Sequence, residues 1–309
     1  MDTAKVRVSS VKISLAVLPL LLLLLWPPVA ANWMYLGVVG VTPLLPQGDQ
    51  EAQNLSTSSA VSICQHLPGL VQQQVAVCQD HPDAIKSVSA GARRGITECQ
   101  YQFRHERWNC TTTHEDPDVP FGHIIKRGSK ETAFIYAITS AGVVHAVTQA
   151  CSSGNLTDCY CDMSKQGLST PEGWKWGGCS DNLNFGNQFA RQFVDAPEKE
   201  WHKKEKKFRN LMNLHNNEAG RQERKSELVH IHSSPNYCKS KPKKGILGTS
   251  GRQCNKTSSG PDSCSFLCCG RGYNTKAVKY IERCHCKFVW CCRVECKNCV
   301  TKVDVHTCK

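Results

Sequence analysis

Cys284-His-Cys-Lys-Phe-Val-Trp-Cys-Cys-Arg-Val-Glu-Cys-Lys-Asn-Cys299 carries six cysteines in sixteen residues. Cys284 and Cys286 are two apart, so on an extended strand they face one side. Partners on a returning strand are Cys299 and Cys296, which are three apart, so the return strand needs a bulge or an irregular turn. Two nested bridges then stiffen a hairpin whose tip is Lys287-Phe-Val-Trp-Cys-Cys-Arg293. A bond between Cys291 and Cys292 joins Cα atoms about 3.8 Å apart, closer than most disulfides, and stiffens the turn further. Phe288, Val289 and Trp290 are thereby held outward with little entropy to lose on binding. Packing into the hairpin's own domain is the competing arrangement, but a narrow hairpin offers little core. Aromatic side chains on a rigid tip are typical anchors for a partner.

Twelve of the twenty cysteines fall in the last 72 residues. So dense a run reads as a small domain held by disulfides in place of a large apolar core, folded in an oxidising compartment. The N-terminus agrees. Lys5, Arg7 and Lys12 precede an apolar run from Ile13 to Trp26, and Val29-Ala-Ala31 offers small residues for cleavage. Residues 1–31 are expected to be a secretory signal peptide, and the apolar run is too short for a transmembrane segment. The oxidising route also argues against a metal: Cys296-x-x-Cys299 has ligand spacing, but adjacent cysteines are awkward tetrahedral ligands and oxidation removes the thiolates. No nucleophile elbow, HExxH string or Cys/His pair points to an enzyme, and nothing calls for a cofactor.

Removing residues 1–31 takes away Lys5, Arg7, Lys12 and Asp2 and leaves +10 of the chain's formal +12. Lys203, Lys204, Lys206, Lys207 and Arg209 form one cluster; Lys239, Lys241, Lys243 and Lys244 form another. Outside the cell such clusters meet sulfated glycans or anionic membrane surfaces, or are solvated charge on a mobile linker. The secretory route argues against nucleic acid. Four glycosylation sequons start at Asn54, Asn109, Asn155 and Asn255.

Residues 32–60 read as a flexible lead-in. Apolar residues at spacings of three and four predict helices over Leu67–Cys78, Ile85–Cys99 and Leu211–Gln222. Cys99 and Cys110 flank Tyr101, Phe103 and Trp108, an aromatic corner. Glu131–Cys151 is the most apolar internal segment and reads as a buried central helix, with His145 a core or edge histidine. Phe185, Phe189 and Phe193 form one helical stripe of core. The pattern fails over 223–237, where Ser234-Pro235 signals a turn and a domain boundary is placed. The fold class is α+β: a helical N-terminal lobe over 61–222, a linker over 223–237, and a cystine-rich lobe of short strands and turns over 238–309.

Several strings together make the chain resemble the Wnt family of secreted signalling glycoproteins. They are Glu98-Cys-Gln-Tyr-Gln-Phe-Arg104 through Arg107-Trp-Asn-Cys110, Trp176-Gly-Gly-Cys-Ser-Asp181, Asn213-Leu-His-Asn-Asn-Glu-Ala-Gly-Arg221, Cys268-Cys-Gly-Arg-Gly272 and His306-Thr-Cys308. Within the family, Phe103-Arg-His-Glu-Arg-Trp108 and Ser234-Pro-Asn-Tyr-Cys238 resemble one subtype most. The resemblance implies a saposin-like helical lobe and ten bridges. Those of the first lobe are Cys64–Cys78, Cys99–Cys110, Cys151–Cys159 and Cys161–Cys179. Those of the second are Cys238–Cys269, Cys254–Cys264, Cys268–Cys308, Cys284–Cys299, Cys286–Cys296 and Cys291–Cys292. It implies that Phe288, Val289, Trp290, Cys291 and Cys292 touch the cysteine-rich domain of Frizzled receptors, with an LRP-type co-receptor as a further partner. It also implies secretion into the extracellular space and matrix, and a role in development and cell fate.

One departure stands out. Family members carry a second hairpin after the Asn-Asn-Glu-Ala-Gly-Arg helix, with a Cys-x-Cys-His-Gly-x-Ser-Gly-Ser-Cys string whose serine is acylated. Here Gln222 runs through Glu223-Arg-Lys-Ser-Glu227 to Cys238, and no such string occurs. Ser226 lacks the surroundings and does not inherit the role, so no lipidation site is expected. The primary reading is a secreted Wnt-type ligand that binds Frizzled receptors. The alternative is a shortened, non-acylated isoform or gene model acting as a weak or competing Frizzled binder.

Overall fold

The computed structural model describes residues 32–41, 63–114, 116–175, 177–200, 207–291 and 293–309. The leader, most of the lead-in with Asn54, Lys203 to Lys206, Trp176 and Cys292 lie outside the described residues. In chain order the helices are α1 (Tyr35–Val39), α2 (Gln72–Asp80), α3 (Ala84–Gln102), α4 (Lys130–Ser152), α5 (Leu183–Phe193), α6 (Ala196–Glu200), α7 (Lys207–Arg221) and α8 (Cys264–Leu267). The strands are β1 (Gln253–Cys254), β2 (Tyr273–Val289) and β3 (Arg293–Cys308), in the spatial order β1-β3-β2 and all antiparallel.

Helix α4 is apolar on all sides, and such a helix is stable in water only when other elements surround it. Long and apolar enough to cross a membrane, it is instead mostly buried among α3, α5 and α7, with Ile135, Val143 and Val147 fully enclosed. Two of its buried hydroxyls find backbone partners within this packing. Thr139 donates to the Ile135 carbonyl at 2.7 Å, and Thr132 to that of Ile124 at 2.8 Å. His145 lies exposed rather than in the core.

Glycines let the helices approach closely. A Cβ placed on Gly142 of α4 would lie 2.2 Å from the Gly91 carbonyl oxygen of α3, and one on Gly91 would lie 2.5 Å from that of Gly142. Phe189 and Phe193 of α5 are buried and stack, and Trp33 meets Phe193 edge-on at 5.9 Å. Helix α2 starts at Gln72, five residues after Leu67, because Pro68 and Gly69 form a turn before it. In the aromatic corner Phe103 packs between Trp108 and Phe134 at 5.0 Å each, whereas Tyr101 points outward under Arg104.

The described residues hold together as one compact unit. The stretch 223–237 is fastened to the helices rather than hanging free. The amides of Ile231 and His232 donate to the Gly128 carbonyl, and Tyr237 joins the main core. Arg252 reaches back from beside β1 and donates to the carbonyls of Arg104, Glu106 and Arg107 at 2.7 to 3.1 Å. The cystine-rich part has its own small core of Cys264, Leu267, Cys268 and Cys308, with Cys254 and Tyr273 against it. Its strands are not short, as the sequence suggested: β2 has 17 residues and β3 has 16. The turn residues Gly and Pro are absent from both, so nothing in the chain interrupts the ladder.

Candidate functional site

The ladder between β2 and β3 runs in one register from Tyr273 opposite Cys308 to Cys284 opposite Lys297, then slips. Beyond the slip, Lys287 faces Glu295, Phe288 faces Val294 and Val289 faces Arg293. His285 and Cys286 therefore oppose the single residue Cys296. The extra residue lies on the outgoing strand, not on the return strand where the cysteine spacing had placed it. His285 absorbs it with φ +48°, a left-handed conformation that histidine enters more readily than most residues. The bulge sets Cys286 across from Cys296, with Cα atoms 4.0 Å apart, and leaves Cys284 diagonal to Cys299 at 5.8 Å. Both bridges form, so two covalent rungs brace the shaft just below the tip.

The tip turns at Cys291, φ +69°. Trp290 is 91% exposed, Phe288 69% and Val289 38%, and none of them belongs to either core. Val294, opposite Phe288, is exposed as well. Arg293 pairs with Glu295, and Lys287 stands across from that same glutamate. The tip is thus an apolar knob flanked by basic residues on a braced two-stranded stem. Cys291 is exposed; its expected partner Cys292 lies outside the described residues.

The structure joins Cys64–Cys78, Cys99–Cys110, Cys151–Cys159 and Cys161–Cys179 in the helical part. It joins Cys238–Cys269, Cys254–Cys264 and Cys268–Cys308 below the hairpin. Among the described residues, two groups of side chains of metal-ligating type gather at Cys254, Cys268 and Cys308 and at Cys284, His285 and Cys299. Every cysteine in them is spent in a disulfide, so neither group offers the thiolates a soft metal needs. Asn155 and Asn255 are exposed, and Asn109 is half-buried between Trp108 and Cys110. Lys239, Lys241 and Lys244 lie exposed, but Arg209 is committed to the carbonyls of Ile125 and Lys126.

Sequence reasoning missed the work of the Asn213–Arg221 string. Arg221 is buried and grips Asp195 with two hydrogen bonds of 3.0 Å, while also reaching Glu218 at 2.8 Å. Asn217 donates to Asp195, and Asn216 both donates to and accepts from the Val229 backbone at 2.9 Å. The string thus pins the exit of α7, where the second hairpin of the family would emerge. The signal was present in the sequence: Asn213, Asn216, Asn217 and Gly220 put small and polar residues on an inward helix face, which demands buried partners.

Comparison with known proteins follows this geometry. The wnt family matches residues 66–227 and again 221–309, so the match breaks where α7 ends. Protein Wnt-16 of Bos taurus is 40% identical over 351 aligned positions, covering 90% of this chain and 92% of that protein. Protein Wnt-2b of Homo sapiens is 40% identical, covering 91% and 83%. The subtype suggested by residues 103–108 and 234–238 was the sixteenth; Wnt-16 and Wnt-2b are each 40% identical to this chain, so that subtype is supported without being exclusive. The alignment with Wnt-16 is longer than the 309 residues of this chain, so residues of the relative have no counterpart here. Among solved structures, "Human WLS in complex with WNT8A" matches with a TM-score of 0.54 and 29% identity, over 87% of this chain and 99% of the other.

Proposed function

Because the chain belongs to the Wnt family of signalling ligands, we propose that it is exported and engages the cysteine-rich domain of a Frizzled receptor through Phe288, Val289, Trp290, Cys291 and Cys292. One observation carries the reading: Trp290 stands 91% exposed at the end of a stem with two disulfide rungs. Leaving so large an apolar ring in water is unfavourable, and burying a tryptophan against a partner removes about 150–250 Å² from solvent. At about 25 cal/mol per Å², that is roughly 4–6 kcal/mol before the costs of association. The rungs reduce those costs, because the tip has little freedom left to lose.

The acyl-bearing string is absent from the sequence, and the family match breaks at 221–227. The proposed ligand is therefore lipid-free. A fatty chain contributes about 0.8 kcal/mol for each buried methylene, so affinity here falls back on the tip and on any LRP-type co-receptor surface. Exposed Lys239, Lys241 and Lys244 support retention on sulfated glycans of the matrix, a contact that weakens as salt rises. Titrating a purified Frizzled cysteine-rich domain with the chain and with Trp290→Ala tests the reading. Loss of an anchor worth about 2 kcal/mol weakens binding roughly 30-fold. Equal affinity for both proteins would remove the tip from the contact.

A further inference from the structure

A cavity of about 430 Å³ opens between two short 3₁₀ turns, Gly122–Lys126 ahead of α4 and Pro242–Lys244 ahead of β1. The turns meet backbone to backbone. A Cβ on Gly122 would lie 2.9 Å from the Gly245 Cα, and the two glycines take φ +65° and +67°. Hydrogen bonds of 2.7 and 3.2 Å in both directions between Lys241 and Ile246 close the second turn. Arg209 of α7 donates to the carbonyls of Ile125 and Lys126 and fixes the first. The cavity is therefore framed by braced backbone.

Ile124 and Ile246, each 5% exposed, form its floor with the half-buried Pro235. His123, Lys126, Arg127 and Lys244 surround that floor, and all four are exposed. No aspartate or glutamate lines it among the described residues. Arg127 is shared, since it also lies near the Tyr237 hydroxyl, which hydrogen-bonds to the Glu131 carboxylate. Lys126 and Lys244 have no ion pair among the described residues. Like charges gathered at one rim repel each other, and an apolar floor beneath them is left wet. A ligand with an anionic head and an apolar body relieves both.

We propose that this cavity binds a small amphiphilic anion, a carboxylate on an alkyl body. The head accepts charge-assisted hydrogen bonds from Lys126 and Lys244. The body lies on Ile124, Ile246 and Pro235, between the methylene stems of the two lysines. The volume falls within the range of about 300–1,000 Å³ that holds small molecules. Lys244 also belongs to the surface proposed to retain sulfated glycans, but that surface needs charge alone, whereas this cavity needs an apolar body as well. The site is separate from the hairpin tip and does not rest on receptor binding.

Calorimetric titration of the purified full chain tests this with three probes: sodium octanoate, the neutral 1-octanol, and sodium acetate, which has the head without the body. Octanoate is expected to bind at least roughly tenfold tighter than either of the others, since each lacks one of the two contributions. Replacing Lys126 and Lys244 together with glutamine is expected to weaken octanoate at least roughly tenfold and to leave 1-octanol unchanged. Both lysines are exposed, so their loss leaves the fold intact. The control removes the same charge elsewhere: Lys279→Gln with Lys302→Gln, an exposed pair facing each other across the hairpin, should bind octanoate as the parent does. Acetate binding as tightly as octanoate would reduce the site to a basic surface and overturn the proposal. Equal binding of 1-octanol and octanoate, no binding of octanoate, or equal affinity in the two double variants would overturn it too.

Discussion

Gly220 of α7 lies so close to Ala137 of α4 that a Cβ on Gly220 would stand 2.0 Å from the Ala137 carbonyl oxygen. Backbone meets backbone there, and no flexible side chain can yield. Gly220→Ala is expected to cost about 2–3 kcal/mol, or to abolish secretion, because overpacking a close crossing forces the helices apart. Urea unfolding measures it. Gly177→Ala serves as the control: nothing lies within 4 Å of its added Cβ, so stability should stay within about 0.5 kcal/mol.

The two rungs of the hairpin act on binding more than on folding. Replacing Cys286 and Cys296 together with alanine frees the shaft above the Cys284–Cys299 bridge. Affinity for the Frizzled domain should fall roughly tenfold through restored flexibility. The melting temperature of the helical part should hold, because the tip residues belong to neither core. A large drop in melting with unchanged affinity would reverse the assignment.

Acid should expose the Glu218 network. Hydrogen bonds from Arg191, and then Arg221, hold Glu218 at about 2 against an ordinary 4.5, with burial opposing them. A depressed folded pKa adds stability above the unfolded value and loses it as pH falls toward the folded one. The contribution is therefore complete above about pH 5 and fades between 4.5 and about 2. Glu218→Gln should be less stable than the parent near pH 6, by about 1 kcal/mol or less since Glu218 is one-third exposed, and equal to it near pH 2. Urea midpoints at the two pH values check the sign.

Metabolic labelling with an alkynyl fatty acid addresses the lipid directly. The purified chain should carry no label, while a relative that retains the serine-bearing string should carry it. Label mapped to any serine of this chain, Ser226 included, would refute the lipid-free reading.

The sequence showed which regions matter better than it showed how they connect. The hairpin tip was legible because six cysteines in sixteen residues leave few ways to close a stem. The bulge was legible as a necessity but not in position, because spacing counts residues without saying which strand bends. That choice fell to His285, whose left-handed backbone absorbs the extra residue. Helix α4 was read as core from its composition alone. The stretch 223–237 read as a linker because it lacks periodicity, yet backbone hydrogen bonds from Ile231 and His232 to Gly128 fasten it to the helices. Such bonds are indifferent to side-chain type and leave no trace in a hydrophobic pattern.

Cysteine spacing, a helical period and an apolar central segment are local properties, so the chain itself determined its α+β class, its oxidising compartment, its family and its aromatic tip. Contacts between distant residues were settled only in three dimensions. The Arg221–Asp195 grip spans 26 positions, and the Arg252 clasp on the aromatic corner spans about 146. The physical reason is that a buried charge or hydrogen bond is selected by the space that closes around it, and that space exists only once the chain has folded.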